Sequence, residues 1–344
     1  MTVVQLRTGA EAPWRRVLRR LTDRRYMPVA GSVLTLVLML VVGELRYGGS
    51  TGFVTPRLLS NLLVDNSYLL VLAIGMTFVI LTGGIDLSVG GIVALTGLVI
   101  ATLLPAGLPL PLVLAIAVLI GSTMGLVVGV MVRYFAIQPF IASLAVMFLA
   151  RGLANVVSVN SLGITHEGFA ALAAWNLSVG EKAGQFRLNA AGLVALVLLV
   201  VAFFVLHHTR FGRTVYGVGA GDQGNAVDLM GLRAGRTVLW VYVISGTCAG
   251  IAGVLFTLYT KSGFNLTGIG MELDAIAAVV IGGTILTGGG GFVLGSAVGV
   301  MVYGLIQVLI SREGLGEAWW TRIFIGAVLL AFVLLQRFLT ARRR

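Results

Sequence analysis

The residues best suited to chemistry in this chain are few, and they sit at the margins of apolar runs. Residues 81–91 read LTGGIDLSVGG, which places the carboxylate of Asp86 and the hydroxyl of Ser88 between glycine pairs. Gly83 and Gly84 can break a helix and let another backbone approach closely. Asp86 and Ser88 have the chemistry of helix caps. An ionisable group at such a boundary is also a candidate for contact with a polar solute. Asp65 and Asn66 form a second polar pair that suits a path or an interface. Glu272 and Asp274 form a third, ahead of Gly282, Gly283 and Thr284. Arg151 lies inside an apolar stretch, where its charge requires a carboxylate, backbone carbonyls or a nearby interface.

Other chemistries are excluded by spacing. His166, His207 and His208 have no metal-ligand pattern, and His166-Glu167 does not continue into HExxH. No DxxD-type acidic cluster is present, so neither a metal site nor a catalytic constellation is expected. No GxxxxGK[ST] phosphate loop occurs, and the glycine run 288–291 lacks its lysine. If ATP drives this protein, another chain binds it. Gly219, Gly221 and Gly224 satisfy GxGxxG. A dinucleotide site also needs a βαβ unit and an acid about 20 residues further on, and here a long apolar segment follows instead.

The elements that must position these residues are set by composition. Of the 344 residues, 58% are hydrophobic and 11% charged, against roughly 25% charged in soluble domains. A soluble fold could not cover itself, and disorder is excluded for the same reason. Cys248 is the lone cysteine, so no disulfide framework exists. The net charge of +11 would suggest nucleic acid in a soluble protein. In a membrane chain it reads as orienting charge, and no nucleic-acid-binding motif accompanies it.

The pattern predicts an all-α polytopic membrane protein with about ten spans: 29–46, 58–81, 88–104, 112–132, 139–158, 189–207, 237–259, 273–287, 292–310 and 321–339. Each approaches the roughly 20 residues that a 30 Å hydrocarbon core requires. The second and third read as a hairpin interrupted near Gly83, and the eighth is short and ends in glycines. With ten spans, 16 of the 24 basic residues fall on the side of both termini, 7 fall opposite, and Arg151 lies within a span. That bias places both termini in the cytoplasm. Residues 1–28 form a basic cytoplasmic segment, 29–339 the transmembrane domain, and 340–344 a basic tail. The first segment has no signal-peptide cleavage site. Its arginines suit an amphipathic helix on membrane lipid or a plain anchor.

Two connections are long. Residues 159–188 face outward, with Phe169, Leu172 and Trp175 as interfacial candidates. Residues 208–236 face the cytoplasm. Within the latter, Gly224 or Asn225 caps a short helix, Ala226, Val227, Asp228, Leu229 and Met230 form it, and Gly231 ends it. Its apolar side chains need cover, either from a soluble partner or from this chain's own helix ends. Gly121, Gly125 and Gly129 form a double GxxxG suited to close helix packing. The tetrapeptide LTGG at 81–84 recurs at 286–289, a faint sign of internal repetition.

Three stretches carry a family resemblance. GMTFVILTGGIDLSVGG (75–91), ELDAIAAVVIGGTILTGGGG (272–291) and TRFGRTVYGVGAGDQGNAVDLMGL (209–232) resemble the permease subunits of bacterial ribose-, arabinose- and galactofuranose-type ABC importers. The similarity extends from about residue 55 to the C-terminus. Residues 61–66 and 319–321 look most like the galactofuranose branch, whose permease pairs with a second, non-identical permease. The resemblance implies a type II importer-like fold and a non-catalytic chain in the bacterial inner membrane. It implies three partners: an ABC ATPase that uses ATP and Mg, a second permease and a periplasmic sugar-binding protein. It makes residues 224–231 the coupling helix, although residues 221–225 depart from the usual family run. It also casts the polar and glycine pairs above as gate or pathway candidates. On the residues alone, an ion-coupled carrier using Asp86, Asp274 and Arg151 is the competing reading.

Overall fold

The computed structural model describes residues 27–49, 52–180, 185–221, 231–314 and 318–341. The basic segment 1–26, most of the expected coupling helix (residues 222–230) and the tail residues 342–344 lie outside the described residues. The rest forms thirteen helices and four short strands.

Helix α1 (Met27–Tyr47) is followed by α2 (Pro56–Asp65) and α3 (Ser67–Leu81). The last two are together long and apolar enough for one span, bent by 59° at Asn66. Thr55 caps α2 by accepting from the Leu58 N–H, and Pro56 occupies the first turn, where its missing N–H costs nothing. Then come α4 (Val89–Leu103), α5 (Leu110–Tyr134) and α6 (Pro139–Val157). An excursion of β1 (Leu162–Gly163), α7 (Glu167–Ala174), β2 (Asn176–Val179) and β3 (Phe186–Asn189) leads to α8 (Ala190–His208). The chain closes with α9 (Arg210–Ala220), α10 (Ala234–Thr260), β4 (Ser262–Gly263), α11 (Met271–Ile281), α12 (Val293–Arg312) and α13 (Ala318–Ala341).

The ten expected segments fall on apolar helices of unequal length. Among the described residues, six helices are long and apolar enough to cross a membrane: Val29–Tyr47, Leu110–Tyr134, Pro139–Val157, Ala190–His208, Ala234–Thr260 and Val293–Arg312. The bent α2–α3 pair makes a seventh. Val89–Leu103 and Trp319–Leu334 are shorter apolar helices. The expected span 273–287 needs correction, because its helix, α11, stops at Ile281, where Gly282 and Gly283 end it. This is a multi-pass membrane protein.

Helices α3 and α10 form the centre. Helix α3 is buried along nearly its whole length, and α10 packs against α3, α4 and α5. Close packing in lipid relies on small residues, since lipid tails give helices no hydrophobic reason to associate. Gly121 and Gly125 of α5 lie against Gly246 and Gly250 of α10, where an added Cβ at Gly121 would sit 2.7 Å from the Gly250 Cα. Gly129 meets Leu239 in the same seam. Thr77 of α3 and Ser296 of α12 share a buried hydrogen bond of 2.8 Å. Helices α1, α6 and α8 instead present exposed Leu38, Phe148 and Phe204, as lipid-facing helices do.

The long excursion is anchored rather than free. Strand β1 pairs antiparallel with β4, and β2 pairs with β3. Phe169, expected at an interface, is fully buried in the core. Leu172 packs partly buried against that core, and Trp175 is exposed.

Candidate functional site

Two helices end in the same way inside the molecule. After α3, Gly83 takes a φ of +80°. Its N–H donates to the Ile80 carbonyl (2.9 Å), and the Gly84 N–H donates to Val79 (3.1 Å). After α11, Gly283 takes a φ of +90°. Its N–H donates to Val280 (2.9 Å), and the Thr284 N–H donates to Val279 (3.2 Å). Both are Schellman endings, which need a left-handed residue at the first position beyond the cap. The structural counterpart of residues 81–84 is therefore 281–284. The LTGG copy at 286–289 has a different role: it touches the first break.

That contact is made through backbone. The Gly289 N–H donates to the Leu81 carbonyl at 2.9 Å. Gly288 faces Gly83, and an added Cβ would lie 2.8 Å from the Gly83 nitrogen and 3.0 Å from the Gly219 Cα. Gly219, in the last turn of α9, fits against Leu81 and Gly289, and a Cβ there would strike the atoms of their hydrogen bond. Side chains frame the junction. The Tyr216 hydroxyl donates to the Gly291 carbonyl (2.9 Å), and His207 stacks on Phe292 at 5.7 Å. Helix α9 thus packs against the first break and against the 288–291 loop that follows the second. The described chain stops one residue beyond it, at Gly221. Gly282 lies against Gly295 and Ser296, and Thr284 is fully buried beside Gly291.

Asp86 lies between the first break and α4 and is fully buried. Its Oδ1 accepts from the Ser88 N–H (2.9 Å) and the Ser88 hydroxyl (2.5 Å). Its Oδ2 accepts from the Ser245 hydroxyl of α10 (2.7 Å). Ser88 occupies the cap position but makes no side-chain cap bond, so the expected pair of caps is an Asp86–Ser88 turn instead. The Tyr242 hydroxyl abuts Gly84, buried and without a hydrogen-bond partner among the described residues.

The remaining polar groups gather at the opposite end of α3. Asn66 is buried and donates to the Leu62 carbonyl (2.9 Å), against Gly304. Glu272 reaches back to the N–H of the cap residue Gly270 (3.2 Å), and its second oxygen is buried without a partner. Arg151 donates from Nη1 to the carbonyls of Asn265 (3.0 Å) and Thr267 (2.5 Å), the backbone option among those expected for it. Asp274 makes no cap bond. It faces Tyr303 of α12, whose hydroxyl also reaches Gln307. Tyr68 of α3 lies within electrostatic range of Asp274, Asp65 and Tyr259. At the margin, Glu313 pairs with Arg46 (2.5 Å) and Tyr47, which hold its carboxyl down at about 2.

Of the candidates, Gly83, Gly84, Gly282, Gly283 and Thr284 belong to the glycine junction or its immediate support. Asp86 and Ser88 lie just behind it. Asp65, Asn66, Glu272 and Asp274 are at the far end. Gly224, Asn225, Ala226, Val227, Asp228, Leu229 and Met230 lie outside the described residues, and Gly231 has a φ of +73° with open space around it. Gly219, Tyr242, Ser245, Tyr68, Tyr303 and Gln307 were not singled out by sequence. Among the described residues, no group of three or more His, Cys, Asp or Glu side chains could hold a metal ion.

Comparison with known proteins adds a family. Residues 58–333 match the model described as "Branched-chain amino acid transport system / permease component". The chain is 42% identical to the fructose import permease protein FruG of Bifidobacterium longum, over 92% of each chain. It is 43% identical to the inner membrane ABC transporter permease protein YjfF of Escherichia coli, over 84% of this chain and 86% of that one. It is 34% identical to the E. coli ribose import permease protein RbsC, over 92% and 96% respectively. No solved structure matches it.

Proposed function

The chain belongs to the branched-chain amino acid transport system / permease component family, and from that premise we propose that it is the membrane-spanning subunit of an ATP-driven sugar importer. It forms the translocation path together with a second permease, which we take to be non-identical. The cargo is galactofuranose or a related monosaccharide, delivered by a periplasmic sugar-binding protein. The chain itself catalyses nothing and binds no cofactor. A separate ABC ATPase uses ATP and Mg. The complex lies in the inner membrane with both termini of this chain cytoplasmic. Fructose and ribose appear in the names of similar permeases. The galactofuranose assignment rests on the likeness at residues 61–66 and 319–321.

The observation that carries this reading is the seat of α9. That helix leads directly into residues 224–231, which we assign as the coupling helix. It also packs, backbone against backbone, on the first glycine break and on Gly288–Gly289 in the loop between α11 and α12. A push on the loop from an ATPase would reach the end of α3 and the loop that leads into α12 without passing through a flexible side chain. Alternating access needs such a bistable, contiguous element. An ion-coupled carrier is less well supported. The Asp86 carboxylate is occupied by three hydrogen bonds, and Arg151 by two carbonyls.

Replacing Val227 and Leu229 together with Asp should abolish ATPase association while the chain still inserts. Affinity purification of the variant from membranes reads this directly. Unchanged ATPase recovery would remove the coupling-helix assignment.

A further inference from the structure

Opposite the glycine junction, Asp274 and Tyr303 hydrogen-bond each other and Tyr303 also reaches Gln307, a polar chain among apolar helices. Asp274 lies one turn inside α11, half-buried, and makes no cap bond. Tyr303 of α12 faces it from about 14 Å inside that helix's end, at 1.5 Å per residue, and Gln307, about one turn further on, contacts Tyr303. Tyr68 stands beside them on α3, its ring edge-on to Phe256 at 5.0 Å. A carboxylate at this depth does not face hydrocarbon. It faces protein or a water-filled path. Arg322 lies near enough to act electrostatically on Asp274, but no ion pair between them forms.

We propose that Tyr68, Asp274, Tyr303 and Gln307 form a contact site for a neutral monosaccharide in transit. This rests on the sugar-importer reading and names residues for it. The chemistry fits a polyol. The carboxylate accepts from two adjacent hydroxyls, the amide both donates and accepts, and the phenol does either. The Tyr68 ring offers an apolar surface to the C–H face of a sugar. Tyr68, Asp274 and Gln307 are half-exposed in the single chain and so accessible, while Tyr303 is buried. Few donors and a partly wet setting make a weak site, which suits a solute that must leave again.

The test uses the intact complex with its ATPase, second permease and binding protein in proteoliposomes. The probes are D-ribose, D-fructose, D-galactose and galactofuranose. Asp274→Asn, Tyr303→Phe and Gln307→Ala each keep the local shape. Because the binding protein captures the sugar, each variant should lower maximal uptake about tenfold and leave KM unchanged. ATP hydrolysis stimulated by loaded binding protein should persist. Full uptake in all three variants would overturn the site. So would loss of the second permease from the variant complexes, which would make this face an interface. A wild-type complex that hydrolyses ATP yet moves none of the four sugars would instead sink the importer reading itself.

Discussion

Around Gly83, Gly219 and Gly288 the chain meets itself through backbone atoms with no room for a Cβ. Around Tyr68, Asp274 and Tyr303 it meets across hydroxyl and carboxylate groups, of which Tyr68 and Asp274 are half-exposed and Tyr303 is buried. The two regions lie at opposite ends of α3, and Tyr303 is at the middle of α12. The difference separates two tasks. A backbone contact with no Cβ between the partners transmits displacement, because nothing in it can rotate away. A set of polar side chains in partial contact can exchange one hydrogen-bond partner for another. The first region suits coupling and the second suits contact with a polar solute. Changes at the first should damage motion and assembly, and changes at the second should damage passage alone.

The largest expected effect is at Gly219→Ala. Its new Cβ would strike the Leu81 carbonyl and the Gly289 nitrogen, both backbone. Overpacking of this kind costs about 1–3 kcal/mol, and relief requires α9 to leave the first break and Gly289. ATP-driven uptake should fall more than about tenfold, a factor worth about 1.4 kcal/mol. Gly152→Ala is the control, since nothing lies within 4 Å of that position. Equal uptake by the two variants would break the comparison at its first term.

A middle-sized effect separates the two hydroxyls behind the first break. Ser245→Ala removes the Asp86 Oδ2 donor and leaves a buried carboxylate oxygen unpaired, at a cost of about 1–3 kcal/mol. Tyr242→Phe removes a hydroxyl that has no partner among the described residues, so stability should hold or rise slightly. Thermal unfolding in detergent reads both. A loss in Tyr242→Phe equal to that in Ser245→Ala would show that the Tyr242 hydroxyl is engaged.

The smallest effect is at the margin. The Arg46 pair holds Glu313 at about 2, below its ordinary 4.5. A depressed carboxylate stabilises the fold fully above its unfolded value, and the contribution fades as pH falls from about 4.5 towards 2. Glu313 is fully exposed, so Glu313→Gln should change melting only slightly at pH 7 and not at all near pH 2. A large change at pH 7 would mean that the α1–α12 contact carries more of the fold than its exposure implies.

Much of the fold was legible in hydropathy, because apolar runs separated by glycine or proline correspond to helices here. The second break was misplaced for a local reason. Apart from Asp274, Thr284 and Thr287, residues 273–287 are apolar or glycine, and Gly282 with the left-handed Gly283 ends the helix early. The GxxxG seam of α5 was readable because small residues four apart leave a visible pattern. The junction was not. Gly219 sits in a stretch that fits the dinucleotide pattern GxGxxG, and its partners are 138 and 70 residues away, at Leu81 and Gly289. Tyr242, Ser245 and Tyr303 were equally hidden. A hydroxyl inside an apolar span has no period of its own, and its neighbours come from other helices.

The most direct measurement is affinity purification of the full chain from its native membranes in mild detergent, with mass identification of what accompanies it. The account predicts an ABC ATPase and a second, non-identical permease, both retained by wild type. Recovery of this chain alone, still able to drive sugar uptake on an ion gradient without ATP, would contradict it.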